Sequence, residues 1–302
     1  MELRTLLQHH RADVALVIGN GINRYGPASA TNSWNDLILT LARRRLGSTH
    51  ANVPTGISLT EFYDVLDLAK PKGSSVAGLQ QTFCDLMRDW KPHRHHRRIT
   101  AWAQAADAPI LTTNFEKTLA DAAACSLRRM GRIRFTDFYP WDSYYGVTDL
   151  PDPCAGFGIW HVNGMQHYRR SIRLGLTHYM GSVEKARGWI HKGGSARLSA
   201  GNDHRAWGGA TTWLHVLFHK PLMIFGLALG ETEVFLRWLL IERARYFRKF
   251  PDRRKKAWYV HTPADRGSGK LFFLDGIGIE PVEVEDFDEI YGAKTWVISA
   301  SK

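Results

Sequence analysis

Residues 14–26 read VALVIGNGINRYG: an apolar run stops at Gly19, a second glycine stands at Gly21, and Asn23 and Arg24 follow where a helix should begin. A strand that ends in Gly-x-Gly and opens a helix turns backbone amides toward an anion. The amides of Gly19, Asn20, Gly21 and Ile22 are therefore candidates to hold a nucleotide diphosphate. A hydride-transfer site wants a third glycine for close helix packing, but Arg24 occupies that position and, with Asn23, is better suited to face ribose or phosphate. Three further apolar runs also stop at polar or glycine residues. They are ILTTNFE (110–116) with Thr113 and Asn114, GIWHVNG (158–164) with His161 and Asn163, and IFGLAL (224–229) with Gly226 and Leu227. Each has a plainer explanation. A Gly-x-Gly can be a structural turn, Asn114 would cap a following helix well, and His161 could be a satisfied core histidine beside Trp160.

The elements that must position these residues alternate in type. Residues 14–18 form a strand buried on both faces, and residues 33–45, SWNDLILTLARRR, form a helix with Ser33 as N-cap. Residues 59–106 read as a small helical module with a break at 71–75. A strand at 108–112 leads into another helix, residues 131–158 read as irregular or edge structure, and 158–164 as a strand. The next segment reads as a short strand and then a helix, with His178 and Tyr179 as packing residues, and 192–209 as a mobile loop. A strand at 221–229, a helix from 230 and strands at 257–261 and 279–284 complete a single domain over 1–302. Strands separated by helices predict parallel pairing in an open, doubly wound α/β sheet, with ligands at the carboxyl ends of the strands where their order reverses.

The chain has 302 residues and a formal charge of +11. The charge is clustered at Arg43–Arg45, in KPHRHHRR (91–98) and in RKFPDRRKK (248–256), surfaces suited either to nucleic acid or to solvated helix ends. The histidines at 93, 95 and 96 have no carboxylate or cysteine nearby in sequence and read as a solvated or anion-facing surface. Three separated cysteines predict neither a disulfide framework nor a cysteine-based zinc site, and no metal is expected. No apolar stretch approaches a membrane span, and the first residues lack a signal-peptide pattern, so a cytoplasmic protein without membrane contact is expected.

Taken in order, GNGIN (19–23), Ser33-Trp34, ILTTNFE, WHVNG (160–164) and IFGLAL resemble the sirtuin superfamily, and more closely the sirtuin-like NAD hydrolases of bacterial anti-phage defence systems. The resemblance implies a Rossmann-like domain with a small helical insertion and NAD as substrate. Sirtuins proper carry a zinc ribbon of two C-x-x-C pairs, which this chain cannot build, so the resemblance points away from deacetylation. It implies that Asn114 orients the nicotinamide ribose and the attacking water, and that Thr113, Gly226 and Leu227 line the same ligand. The sirtuin base histidine stands immediately before the glycine, where this chain has Asn163. His161 is then the general base and Asn163 a ribose or water contact.

The implied reaction breaks the glycosidic bond to nicotinamide through an oxocarbenium-like transition state. Free NAD hydrolysis is toxic, and little chain follows residue 285, so control is expected from homo-oligomerisation or from a sensor or ATPase partner that triggers abortive infection. Two other readings stand beside this one: a catalytically inactive NAD- or ADP-ribose-binding sensor, and a nucleic-acid-associated subunit.

Overall fold

A run such as ALVI leaves no face for water, and β1 (Ala15–Ile18) is buried along its whole length. The computed structural model describes residues 2–26, 32–47, 52–69, 78–131, 139–200, 205–231 and 233–297. Among them β1 joins β2 (Ile110–Thr112), β3 (Ser126–Arg129), β4 (Ser143–Gly146), β5 (Ile159–His161), β6 (Leu222–Phe225), β7 (Ala257–His261) and β8 (Glu280–Glu283) in one eight-stranded sheet. The order is β3-β4-β5-β2-β1-β6-β7-β8. From β5 to β8 the pairing is parallel. The expectation of parallel pairing fails at one edge, where β3 and β4 are antiparallel. That edge falls partly within the stretch read as irregular or edge structure, and β3 presents exposed Ser126 and Arg129, which discourage further pairing.

The two-residue period of β1 feeds a core on each face of the sheet. Ala15 and Val17 pack with α8 (Leu176–His191), α9 (Trp213–His219), α10 (Val234–Lys249) and α11 (Gly269–Gly276). Leu16 and Ile18 pack with α1 (Leu3–His9), α2 (Gly21–Arg24), α6 (Arg94–Ala105), α7 (Thr118–Ala122) and α12 (Phe287–Tyr291). A third cluster joins α3 (Trp34–Leu46), α4 (Leu59–Leu68) and α5 (Leu79–Leu86) to Phe115, Ile172 and Leu174. The helical stretch 59–106 therefore divides between two cores, and its break at 71–75 lies outside the described residues. Ser33 caps α3 by accepting from the Asp36 N–H at 3.1 Å.

Trp34, Phe83 and Phe115 place the third cluster over the carboxyl end of β2. Trp34 lies edge-on to Phe115 at 4.7 Å, and Phe83 packs on both rings. Three expected strands end early or do not form. The run at 221–229 ends at Phe225, because Gly226 turns the chain with φ 68°. That at 158–164 ends at His161, where the Gly164 N–H reaches back to the His161 carbonyl at 3.4 Å. The short strand expected after it is instead a 3-10 turn at Arg169–Ser171. There the Ser171 hydroxyl accepts from the Met165 N–H at 2.9 Å and the Tyr168 N–H returns to the Met165 carbonyl at 3.0 Å, so the segment closes on itself. In the stretch 192–209, Gly194–Ala196 and Leu198–Ala200 form single 3-10 turns, Leu198 and Trp207 are buried, and 201–204 lie outside the described residues.

Candidate active site

The chain runs from β1 toward β2 and β5 on one side, then crosses to β6 on the other, so the strand order reverses at β1. In such a sheet the crevice lies at the carboxyl ends beside the reversal. Gly19 and Gly226 leave β1 and β6 there, Thr113 and Asn114 leave β2, and His161 ends β5.

The glycine turn is locked to its neighbour. Gly19 N–H donates to the Phe225 carbonyl at 3.1 Å, Gly21 N–H to the Gly226 carbonyl at 2.8 Å and Ile22 N–H to the Gly19 carbonyl at 3.4 Å. A Cβ at Gly19 would lie 2.6 Å from Leu227 Cγ, and one at Gly21 would lie 2.8 Å from Gly226 Cα. Both glycines are thus required by the close approach of two backbone turns. Three of the four amides expected to cradle a diphosphate are spent inside the protein.

Asn114 and His161 meet directly. Strand register pairs Thr112 with His161, and two residues on, the Asn114 carbonyl accepts from His161 Nδ1 at 2.7 Å. A carbonyl can only accept, so Nδ1 carries the proton and Nε2 presents its lone pair. Burial lowers the His161 pKa to about 4, the bond to Asn114 opposing it in part. The ring is 1% exposed, and its Nε2 and Asn114 Oδ1 are both buried without a hydrogen-bond partner. Asn114 does not cap the next helix, since α7 begins at Thr118. Instead its N–H donates to Thr112 Oγ1 at 3.1 Å and its Nδ2 to the Gly19 carbonyl at 3.4 Å.

Behind this pair lies a buried polar network that the sequence reading missed. Asn23 Nδ2 donates to Asn20 Oδ1 and to Glu116 Oε1, each at 2.9 Å. His93 N–H donates to His96 Nδ1 at 3.1 Å, which puts the His96 proton on Nε2, and Nε2 donates to Asn23 Oδ1 at 3.0 Å. His95 Nε2 donates to the Ile22 carbonyl at 2.7 Å. Glu116 also accepts from Thr118 Oγ1 at 2.9 Å, and its Oε2 is buried without a partner. Burial raises the Glu116 pKa against these hydrogen bonds.

The solvated surface expected at 93–96 is therefore corrected: His95 is 5% exposed and His96 is fully buried. With Ile99, Trp102 and Ala103 they form the inward face of α6. That helical period was legible in the sequence; the polar partners that make the burial tolerable were not.

The other expected contacts fall as follows. Asn20 Nδ2 donates to the Asn32 carbonyl at 2.7 Å, and the Asn23 amide is fully occupied within the network, leaving no capacity for ribose. Arg24 is exposed at the end of α2. Thr113 is buried with its N–H on the Ile18 carbonyl at 3.2 Å. Asn163 is buried one residue beyond Val162, and its carbonyl accepts from Arg173 N–H at 2.8 Å. The Leu227 carbonyl accepts from Tyr259 Oη at 2.7 Å. His178 and Tyr179 pack as expected, with Tyr179 Oη on the Arg173 carbonyl at 2.9 Å.

Comparison with models of known protein families and with curated proteins finds no match to this chain.

The buried imidazoles make a prediction about acid. Burial depresses the pKa of His161 to about 4 and that of His96 to about 2, below the ordinary 6.5. Between these values the unfolded chain binds protons that the folded one refuses. Stability is therefore greatest above pH 6.5 and falls as pH drops, by about 2 kcal/mol per group on reaching pH 5. Glu116, Asp142 and Glu233, whose pKa values burial raises, offset part of that slope below their own folded values. Urea unfolding at pH 7.5 and pH 5 measures the balance. Imidazole proton resonances of His161 or His96 that titrate between pH 7.5 and pH 5 would show that the ring is not buried neutral.

Proposed function

We propose that the protein is an NAD hydrolase on a Rossmann-like, sirtuin-related sheet, releasing nicotinamide and ADP-ribose. The observation that carries this reading is the His161–Asn114 pair at the carboxyl ends of adjacent parallel strands: the residues are bonded through His161 Nδ1 and the Asn114 carbonyl, and each leaves one buried polar atom, Nε2 and Oδ1, without a partner. The protein has placed a lone pair and an amide oxygen beside the strand-order reversal without satisfying either, a cost of about 1–3 kcal/mol per atom. Function is the natural compensation for that cost.

The chemistry follows from the groups. The bond from the ribose anomeric carbon to the pyridinium nitrogen breaks, and its electron pair leaves with neutral nicotinamide, so no acid is required. Water adds to the resulting carbon and gives its proton to His161 Nε2. Asn114 Oδ1 accepts a hydrogen bond from the ribose or the water and fixes the face of attack. A base held near pKa 4 is weak, which suits water meeting an oxocarbenium-like carbon, where deprotonation comes late.

A second reading draws on a specific observation. Asn163 stands where the sirtuin resemblance places the base histidine, which favours a nucleotide-binding module without turnover. In the hydrolase reading the protein acts as a defence effector held inactive until it oligomerises or meets a sensor or ATPase partner. Nicotinamide release from NAD, followed by chromatography across a range of protein concentrations and with added nucleic acid, tests both readings. Release in any assembly supports the hydrolase, and NAD binding without release in all of them supports the binding module.

A further inference from the structure

The amino edge of the sheet, opposite the strand ends that carry His161 and Asn114, is a ridge of cations. Both α9 and α10 finish there, and the chain enters β6 through Lys220 and Pro221 and β7 through Lys255 and Lys256. Arg248, Lys249, Arg254, Lys255 and Lys256 are exposed. Among the described residues no carboxylate pairs with Lys220, Arg248, Arg254, Lys255 or Lys256. Acidic groups of the neighbouring elements are engaged elsewhere. Glu242 is held by His191 and Arg245, each at 2.7 Å, Glu280 accepts from Trp258 Nε1 at 3.2 Å, and Asp252 lies 3.9 Å from Arg253.

A buried side chain gathers these cations. Arg243, 4% exposed, donates through Nε to the Leu217 carbonyl at 2.9 Å and through one terminal nitrogen to the carbonyls of Lys220, Lys255 and Lys256 at 3.2, 2.9 and 3.2 Å. A buried guanidinium is ordinarily matched by an acid, but this one is bound by carbonyls and adds its charge beneath the ridge. Burial, and then Arg254 beside it, push its pKa down to about 9, so it stays charged at neutral pH. The helix dipole accounts for Arg248 and Lys249 in the last turn of α10, but not for the run at 253–256 that follows the helix. The fold therefore draws the entries to two strands together around a cation and leaves the repulsion uncompensated.

We infer that this ridge binds the phosphate backbone of duplex nucleic acid, without regard to sequence. A polyanion with closely spaced charges is the complement of a row of unpaired cations. The ridge carries no exposed large apolar side chain among its described residues. An anionic membrane would engage an apolar face as well as cations, and a protein interface would want aromatic anchors, so both fit this edge less well. A single strand would want open rings on which to stack its bases, but Phe250 is half-buried and overlaid by Lys249 and Arg253, 5.4 and 4.7 Å from its ring centre. Both α9 and α10 are packed into the core, which leaves neither to enter a groove and read base edges.

Fluorescence anisotropy of short labelled duplexes with the full chain tests the inference without requiring turnover. Affinity is expected to fall about 10²-fold or more between 50 and 200 mM salt and to vary little with base sequence. The double variant Lys255→Ala with Lys256→Ala removes side chains but keeps the carbonyls that meet Arg243, so its circular dichroism should match that of the wild type. Its duplex affinity should drop about tenfold and its log–log salt slope should shrink by about 2. Arg94→Ala with Arg97→Ala, exposed in the other long basic run, should leave duplex affinity unchanged. Absence of duplex binding at low salt, affinity indifferent to Lys255→Ala with Lys256→Ala, or a loss confined to the Arg94 and Arg97 variant would each overturn it. So would tighter binding of the single strand, of polyglutamate or of phosphatidylserine vesicles than of the duplex. A protein that releases no nicotinamide yet binds duplex through Lys255 and Lys256 removes the hydrolase proposal and leaves this surface standing.

Discussion

His161→Ala is expected to lower nicotinamide release by about 10²- to 10⁴-fold, the range that a positioned general base supplies. The fold should survive, because the side chain makes a single hydrogen bond, from Nδ1 to the Asn114 carbonyl, and its removal leaves an acceptor rather than a buried charge. Asn114→Ala should cause a loss of similar size through the oxygen that directs the nucleophile. The double variant should cost little more than either single one, since the two groups act on one water. His161 is deprotonated above about pH 4, so kcat/KM should rise through that pH and stay level toward neutrality. A profile that rises near pH 6.5 would mean that the His161 ring is solvated in the working enzyme and not held at the lowered value. Full activity in His161→Ala would remove it from the mechanism altogether.

Gly164→Ala is expected to cost roughly 3 kcal/mol of stability and lower the melting temperature by roughly 5–10 °C. Gly164 has φ 96°, a conformation L side chains resist, and a Cβ there would press on the Ser171 carbonyl and lie 2.7 Å from the Ile172 nitrogen. Both obstacles are backbone, held by the hydrogen bonds between Met165 and Ser171, and neither can swing aside. The turn that carries Asn163 would open with them, so activity should fall together with stability. Gly181→Ala is the matched comparison. It introduces a methyl group into open space inside a helix and should raise the melting temperature slightly. Thermal melts followed by circular dichroism separate the two, and a Gly164→Ala melt within a degree of wild type would show that this turn is not the constraint it appears in the structure.

Much of the frame was legible from local pattern. The apolar runs of β1, β6 and β7, the long helical period of α10 and the Ser33 cap are each set by neighbours within one or two turns of chain. The strand-end positions of Asn114 and His161 were legible for the same reason. Glu116 stood in the quoted ILTTNFE segment, yet its role as the carboxyl at the heart of the buried network depends on Asn23, 93 residues away. His95 and His96 have the spacing of an inward helix face, but a histidine goes inside only where its ring nitrogens find partners, here Ile22 and Asn23, 73 residues distant.

By itself the sequence determined which residue types stand at the carboxyl ends of the central strands, because alternation and turn chemistry are written in adjacent residues. Only the tertiary structure decided what those residues do to one another. The register that sets Thr112 beside His161 brings the Asn114 carbonyl onto Nδ1 and leaves Nε2 bare. The interlock of Gly19 and Gly21 with Gly226 spends amides that the local pattern offered to a ligand. Hydrogen bonds across strands are assigned by register and crossing, which depend on the packing of the whole sheet and on no window of the chain.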